Sequence, residues 1–304
     1  TESEMAIGMM SMGGVGVIHR FMDIQKQKEE VQRTFDFWET IEPAFDNEDD
    51  WLSVPICAAI GVSGDYLERG QELANSGCSV LLIDVAHGHH KNVGEAIEEI
   101  KKNIQGVEVI AGNIATGEGA YYLCERGADG IRAGIGNGSL CETRIRTGVG
   151  IPTVSSLLDI TNITDRYGVP VIADGGVRSI GDVCKGLGCK ADSVMLGSLL
   201  AGTKETPGTI EKIGEWPNEQ LFKKYRGSAS IDSKSDRGEH KNVEGNHKVI
   251  PYKGKLKRII HDIEDGIRSS FSYVGANNMS EFHSKVDFHI VTNAGIVEAK
   301  PHLL

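Results

Sequence analysis

Aromatic residues make up only 6% of the 304 residues, no apolar run nears the roughly 18 residues that a bilayer span needs, and no basic segment followed by an apolar one opens the chain. The sequence therefore reads as a soluble, unsecreted protein without a membrane partner. Positive charge is scarce too. Lys plus Arg is 32 against 43 for Asp plus Glu, a formal charge of -11, and no basic stripe interrupts the acidic background, so nucleic acid is not an expected partner. Six cysteines supply no Cys-x-x-Cys pair, which in a chain of this length excludes a disulfide framework and points to a reducing, cytoplasmic setting. What is abundant is glycine, at 38 residues, gathered just after apolar runs, where tight backbone turns meet ligands. The sequence opens on Thr1 inside a helix-like stretch, residues 2–12, so an upstream segment is expected.

Seven short β-branched runs, each bounded by Gly, Asn or Asp, predict strands at residues 14–19, 54–61, 79–86, 107–111, 130–134, 169–173 and 193–197. Amphipathic helices are predicted between them at 23–37, 66–76, 92–104, 118–126, 160–167 and 180–187; in the third, Val93, Ile97, Ile100 and Ile104 recur at helical spacing. Continuously apolar strands alternating with such helices imply a parallel sheet covered by helices. Seven strands plus one expected upstream make an α/β (β/α)8 TIM barrel whose first strand is missing from the given sequence, with a doubly wound sheet as the competing arrangement. Residues 203–255 lose all apolar periodicity and read as a mobile flap within this single domain, and 256–270 as a closing helix.

The densest constellation is Gly134-Ile135-Gly136-Asn137-Gly138-Ser139-Leu140-Cys141-Glu142-Thr143-Arg144, directly after a predicted strand. Its glycines let the backbone fold tightly and bring Cys141 to the C-terminal mouth of the barrel, where a loop cysteine is a candidate nucleophile; the plainer reading is a small buried apolar residue. Asp174-Gly175-Gly176 and Gly197-Ser198 follow two later strands, whose loops in barrels commonly bind phosphate, while Asp174 suits ribose hydroxyls. Together they suggest a nucleoside monophosphate. Asp84-Val85-Ala86-His87-Gly88-His89-His90 ends another strand, and contact between Asp84 and a second ligand outweighs a metal reading of its histidines.

These motifs, with Gly13-Gly14-Val15-Gly16-Val17-Ile18-His19, Ala111-Gly112-Asn113 and Met195-Leu196-Gly197-Ser198-Leu199-Leu200-Ala201-Gly202, resemble in order the family of IMP dehydrogenase and GMP reductase, over nearly the whole chain. The resemblance implies a tetrameric barrel in which the loop cysteine attacks purine C2 and the adduct exchanges hydride with a nicotinamide cofactor. Dehydrogenases carry an Arg-Tyr pair in the flap to activate water. No such dipeptide occurs in 203–255, where only the reverse, Tyr225-Arg226, is found. Gly227-Ser228-Ala229-Ser230 and Gly238-Glu239-His240-Lys241-Asn242-Val243-Glu244-Gly245 resemble the reductase flap instead, and 33–54 is too short for inserted CBS modules. The expectation is thus NADPH-dependent reductive deamination of GMP to IMP and ammonia, with NAD-dependent oxidation of IMP as the alternative.

On that resemblance Cys141 is the nucleophile, and Thr143 with Glu244 handles the proton of the departing group. Ser139, Asp174, Gly175, Gly176, Gly197 and Ser198 hold ribose and phosphate, with Gly227, Ser228, Ala229 and Gly245 near the purine. Asp84, Val85, Ala86, Ile135 and Gly136 meet NADPH. The loop segment with Gly136, Gly138, Cys141 and Arg144 holds a monovalent cation such as potassium.

Overall fold

The computed structural model describes residues 1–41, 54–215, 217–226 and 247–299. All seven predicted strands form: β1 (Val17–Ile18), β2 (Cys57–Ile60), β3 (Val80–Asp84), β4 (Glu108–Ile114), β5 (Gly130–Ala133), β6 (Val171–Asp174) and β7 (Ser193–Met195). They pair in parallel, in sequence order, as one sheet. The arrangement is that of a (β/α)8 TIM barrel lacking a strand, and the doubly wound alternative, which reverses strand order at its middle, does not apply.

Helices separate the strands: α1 (Ser3–Met10), α2 (Ile24–Ile41), α3 (Tyr66–Asn75), α4 (Lys91–Asn103), α5 (Gly117–Glu125), α6 (Thr143–Thr147), α7 (Thr153–Tyr167) and α8 (Ile180–Gly188). Successive strand residues point to opposite faces. Ala58, Ile60, Leu81, Ile83, Val109, Ala111, Ile131, Ala133, Val171 and Ala173 pack with Leu73, Ile97, Ile100, Leu123, Leu157 and Ile160 of the helices. Cys57, Val80 and Leu82 turn the other way and meet Val17, Ile110 and Met195 inside the sheet's curve. That alternation puts Asp84, two residues beyond Leu82, on the inner face.

Two local expectations change. Helix α7 begins at Thr153 and not near 160, because Ser156 and Leu157 continue its buried face with Ile160, Thr161 and Thr164. Residues 203–255 are not wholly irregular: β8 (Glu211–Ile213), β9 (Gln220–Arg226) and β10 (His247–Pro251) form an antiparallel sheet in the order β10-β9-β8. Its charge hid it. Lys223, in mid-strand, is only 2% exposed and satisfies its ammonium on the carbonyls of Thr203, Lys204 and Thr206 at 3.2, 3.2 and 2.5 Å. The chain then runs through α9 (Leu256–Val274), α10 (Met279–Lys285) and α11 (Asn293–Glu298). No described helix is long and apolar enough to cross a membrane.

Candidate active site

Because the strands are parallel, the loops after β3, β5, β6 and β7 all leave from one end of the sheet. The loop after β5 turns at Gly134, with φ 134°, where a side chain would collide with the carbonyl of Asp174 at the end of β6. Further on, Gly175, φ 85°, lies so close that a Cβ would stand 3.0 Å from Asn137 and 3.1 Å from the amide of Gly138. The Cys141 loop and the Asp174 loop are thus in backbone contact. Asn137 ties the first loop down, donating to the carbonyl of Ile151 at 2.9 Å and accepting from Arg144. Thr153 donates to the carbonyl of Gly175 at 3.1 Å.

Cys141 is half-buried, its Sγ 3.0 Å from the hydroxyl of Thr143 at the start of α6, and its amide donates to the carbonyl of Gly138 at 3.1 Å. The thiol and hydroxyl therefore share a hydrogen bond, the geometry a nucleophile with a proton partner needs. Arg144 is committed elsewhere: its stem lies against Gly136 and Gly150 and its guanidinium on Asn137, so it braces the loop. Its carbonyl accepts from Gly148 at 2.9 Å, so of the proposed cation ligands the carbonyls of Gly138 and Arg144 already have backbone donors.

Ser139 shares a 3.1 Å hydrogen bond with the Tyr225 hydroxyl, from β9, and the same hydroxyl would sit 3.1 Å from a Cβ at Gly197. Tyr225 thereby joins the Cys141 loop to the Gly197-Ser198 turn, a role the sequence reading missed because 86 residues separate it from Ser139. Two residues beyond β10, Lys253 donates to the carbonyls of Ser198 at 2.7 Å and Leu199 at 3.0 Å.

Asp84 and Asp174 meet through Arg132, whose NH1 donates to Asp84 at 2.8 Å and whose Nε donates to Asp174 Oδ2 at 3.0 Å. Asn113 donates at 2.7 Å both to Asp174 Oδ2 and to the carbonyl of Gly134. Its own Oδ1 is buried without a partner among the described residues, an acceptor waiting for a donor such as a ribose hydroxyl. Val85 is less available, since its amide and carbonyl both pair with β4, at Gly112 and Asn113. The histidines nearby have local work: His90 caps α4 by accepting from Asn92, and His89 packs against Tyr122, ring centroids 5.1 Å apart and tilted by 41°. Burial, then His89 and His90, lowers the pKa of His87. Among the described residues no group of three or more His, Cys, Asp or Glu is placed to hold a metal ion. Glu244, Gly227, Ser228, Ala229 and Gly245 lie outside the described residues.

The model of the IMP dehydrogenase / GMP reductase domain matches residues 1–302. The chain belongs to this family. An inosine-5'-monophosphate dehydrogenase of Nitrosopumilus maritimus is 40% identical over 81% of this chain and 53% of its own length. One from Cryptosporidium parvum is 35% identical over 99% of this chain and 84% of its own length, and one from Aquifex aeolicus 42% identical over 81% and 51%. The chain thus spans about half the length of two of these relatives and most of the third.

These names overturn the choice of branch made from the flap. GMP reductase, and the NADPH that went with it, rested on the short motifs at 227–230 and 238–245, on the lack of an Arg-Tyr pair in 203–255 and on the shortness of 33–54. Similarity to dehydrogenases extends over the strands and loops that build the site, and it outweighs those motifs.

Proposed function

We propose that this family member is an IMP dehydrogenase, oxidising IMP to XMP at purine C2 with NAD as the hydride acceptor. The observation that carries the reading is the Cys141 loop seated against the Asp174 loop at the C-terminal end of the sheet, in a chain whose relatives bear the dehydrogenase name.

The residues divide the work by place. The Gly197-Ser198 turn, with Ser139 and Tyr225 beside it, takes the phosphate. Both contacts of Asp174 fall on Oδ2, which leaves Oδ1 to accept from the ribose. With phosphate and ribose held, the base lies over the Cys141 loop. The Thr143 hydroxyl donates to Sγ and steadies the thiolate as it bonds to C2. Asp84, Ala86, Ile135 and Gly136, with Asn113 beside them, would hold the nicotinamide cofactor, which when bound would accept the hydride from C2. Water then adds to C2, the C–S bond breaks, Cys141 is released and the purine keeps the oxygen; Thr143 with Glu244 takes the water's proton. The carbonyls of Gly136 and Cys141, with the lone pair of the Gly138 carbonyl that the Cys141 amide leaves free, would hold potassium; four chains assemble as a tetramer, and residues 1–304 act as one catalytic unit with β8 to β10 as the root of the flap.

Mixing the protein with IMP, NAD and potassium tests the reading. Reduced nicotinamide and XMP should appear together in equal amounts. No turnover of IMP, combined with consumption of NADPH in the presence of GMP, would overturn it.

A further inference from the structure

Along the sheet, Asp84 of β3 pairs in register with Gly112 of β4, and Gly112 in turn pairs with Arg132 of β5. Inner-face side chains in register stand in one layer. At the middle position there is no side chain, and a Cβ on Gly112 would come within 2.7 Å of the Cβ of Arg132. Arg132 consequently extends across β4 to Asp84, while its Nε turns to Asp174 on the other neighbour, β6. The three side chains are only 17 to 25% exposed. Arg20 adds a second cation to Asp84, donating to its carbonyl at 3.2 Å with Nε 3.8 Å from Oδ2. Burial opposes the charge of Arg132, but Asp174 and Asp84 outweigh it and hold the guanidinium protonated above the ordinary arginine range.

We infer that Arg132 is a positioning residue that sets both subsites at once, the ribose carboxylate Asp174 and the cofactor carboxylate Asp84 being fixed by the two faces of one guanidinium. The inference rests on the proposed function, in which those carboxylates meet the two ligands. A planar fork is needed, since a lysine ammonium is a point charge without two donor edges in fixed relation. Without it two like charges would face each other in a shielded layer, and each would leave its bound orientation.

The test titrates IMP and NAD separately against wild-type protein, Arg132→Lys and Arg132→Gln, with melting curves confirming that each variant is folded at the titration temperature. Both variants should weaken both ligands, by about tenfold or more for Arg132→Gln, the size expected when one partner of a shielded, hydrogen-bonded charge pair is lost. If Arg132→Gln does not fold, Arg132→Lys, which keeps the charge and loses the fork, decides by the same criterion. Weakening of one ligand alone, or of neither, overturns the inference and leaves the proposed function standing. Wild-type protein that binds neither IMP nor NAD overturns both.

Discussion

Asp84 and Arg132 stand two strands apart and are joined at 2.8 Å across Gly112, which carries no side chain. Gly112→Ala should therefore injure the site without touching a ligand. The new methyl meets the backbone and Cβ of Arg132 and pushes β5 or its side chain aside. Overpacking of this kind costs about 1–3 kcal/mol, to be read as a lower melting temperature, and nucleotide affinity should fall with it. Unchanged stability and affinity would show that Arg132 does not need the gap.

Cysteine reactivity separates the nucleophile from four of its five namesakes, half-buried Cys184 being the exception. Burial pushes the Cys78 thiol up to about 12, and Cys124 and Cys189 to about 11, and it raises Cys57, fully shielded beside Cys78, well above the ordinary thiol value. At pH 7.5 on the order of 0.1% or less of each is thiolate, so iodoacetamide should spare all four. Half-buried Cys141 should be alkylated, and IMP should protect it. Peptide mapping by mass spectrometry reads both results, and labelling at Cys141 that IMP leaves unaltered would count against the covalent role.

Much of this was legible in the sequence, for identifiable reasons. The seven strands showed because a buried parallel sheet demands uninterrupted β-branched runs, and the Cys141 loop showed because its glycines had to stand together for the turns at Gly134 and Gly136. Arg132 did not. A charge inside Gly130-Ile131-Arg132-Ala133 looks like an interruption until the register places Gly112 and Asp84 beside it. Tyr225 and Lys223 were concealed in a polar strand whose partners lie far off in sequence, and only pairing reveals that one faces Ser139 and the other is buried. The choice between reductase and dehydrogenase went astray for a related reason. It was staked chiefly on the brief motifs at 227–230 and 238–245, and matches that short discriminate poorly between two branches of one family.

Removing the hydroxyl beside the thiol probes the proton step. Thr143→Val keeps the shape of the side chain and deletes the 3.0 Å partner of Sγ. Turnover should fall by about 10²–10⁴, the usual contribution of a positioned proton-transfer group, while the dissociation constant of IMP stays within about twofold. Cys141→Ala should abolish turnover and also leave IMP binding intact. A Thr143→Val enzyme at full rate would remove the hydroxyl from the mechanism.

The buried ammonium at the root of the flap carries a pH signature. Burial lowers the pKa of Lys223 in the folded protein, with Glu4 and Glu205 opposing, whereas the unfolded chain titrates near the ordinary value of 10.5. Between those two values the unfolded state binds more protons than the folded one, so this residue adds stability as pH rises through the window. Below the lowered pKa its cost is present in full; above 10.5 it is gone. Lys223→Met abolishes the titration together with the three carbonyl contacts. The difference in melting temperature between wild type and Lys223→Met should therefore grow in favour of wild type as pH climbs from 8 towards 10.5, about 1 kcal/mol or more separating them at the upper end, where the neutral amine still donates to two of the carbonyls and the desolvated charge is gone. A difference that is flat across this range would mean that Lys223 keeps its ordinary proton affinity, and that the three carbonyls compensate its burial completely.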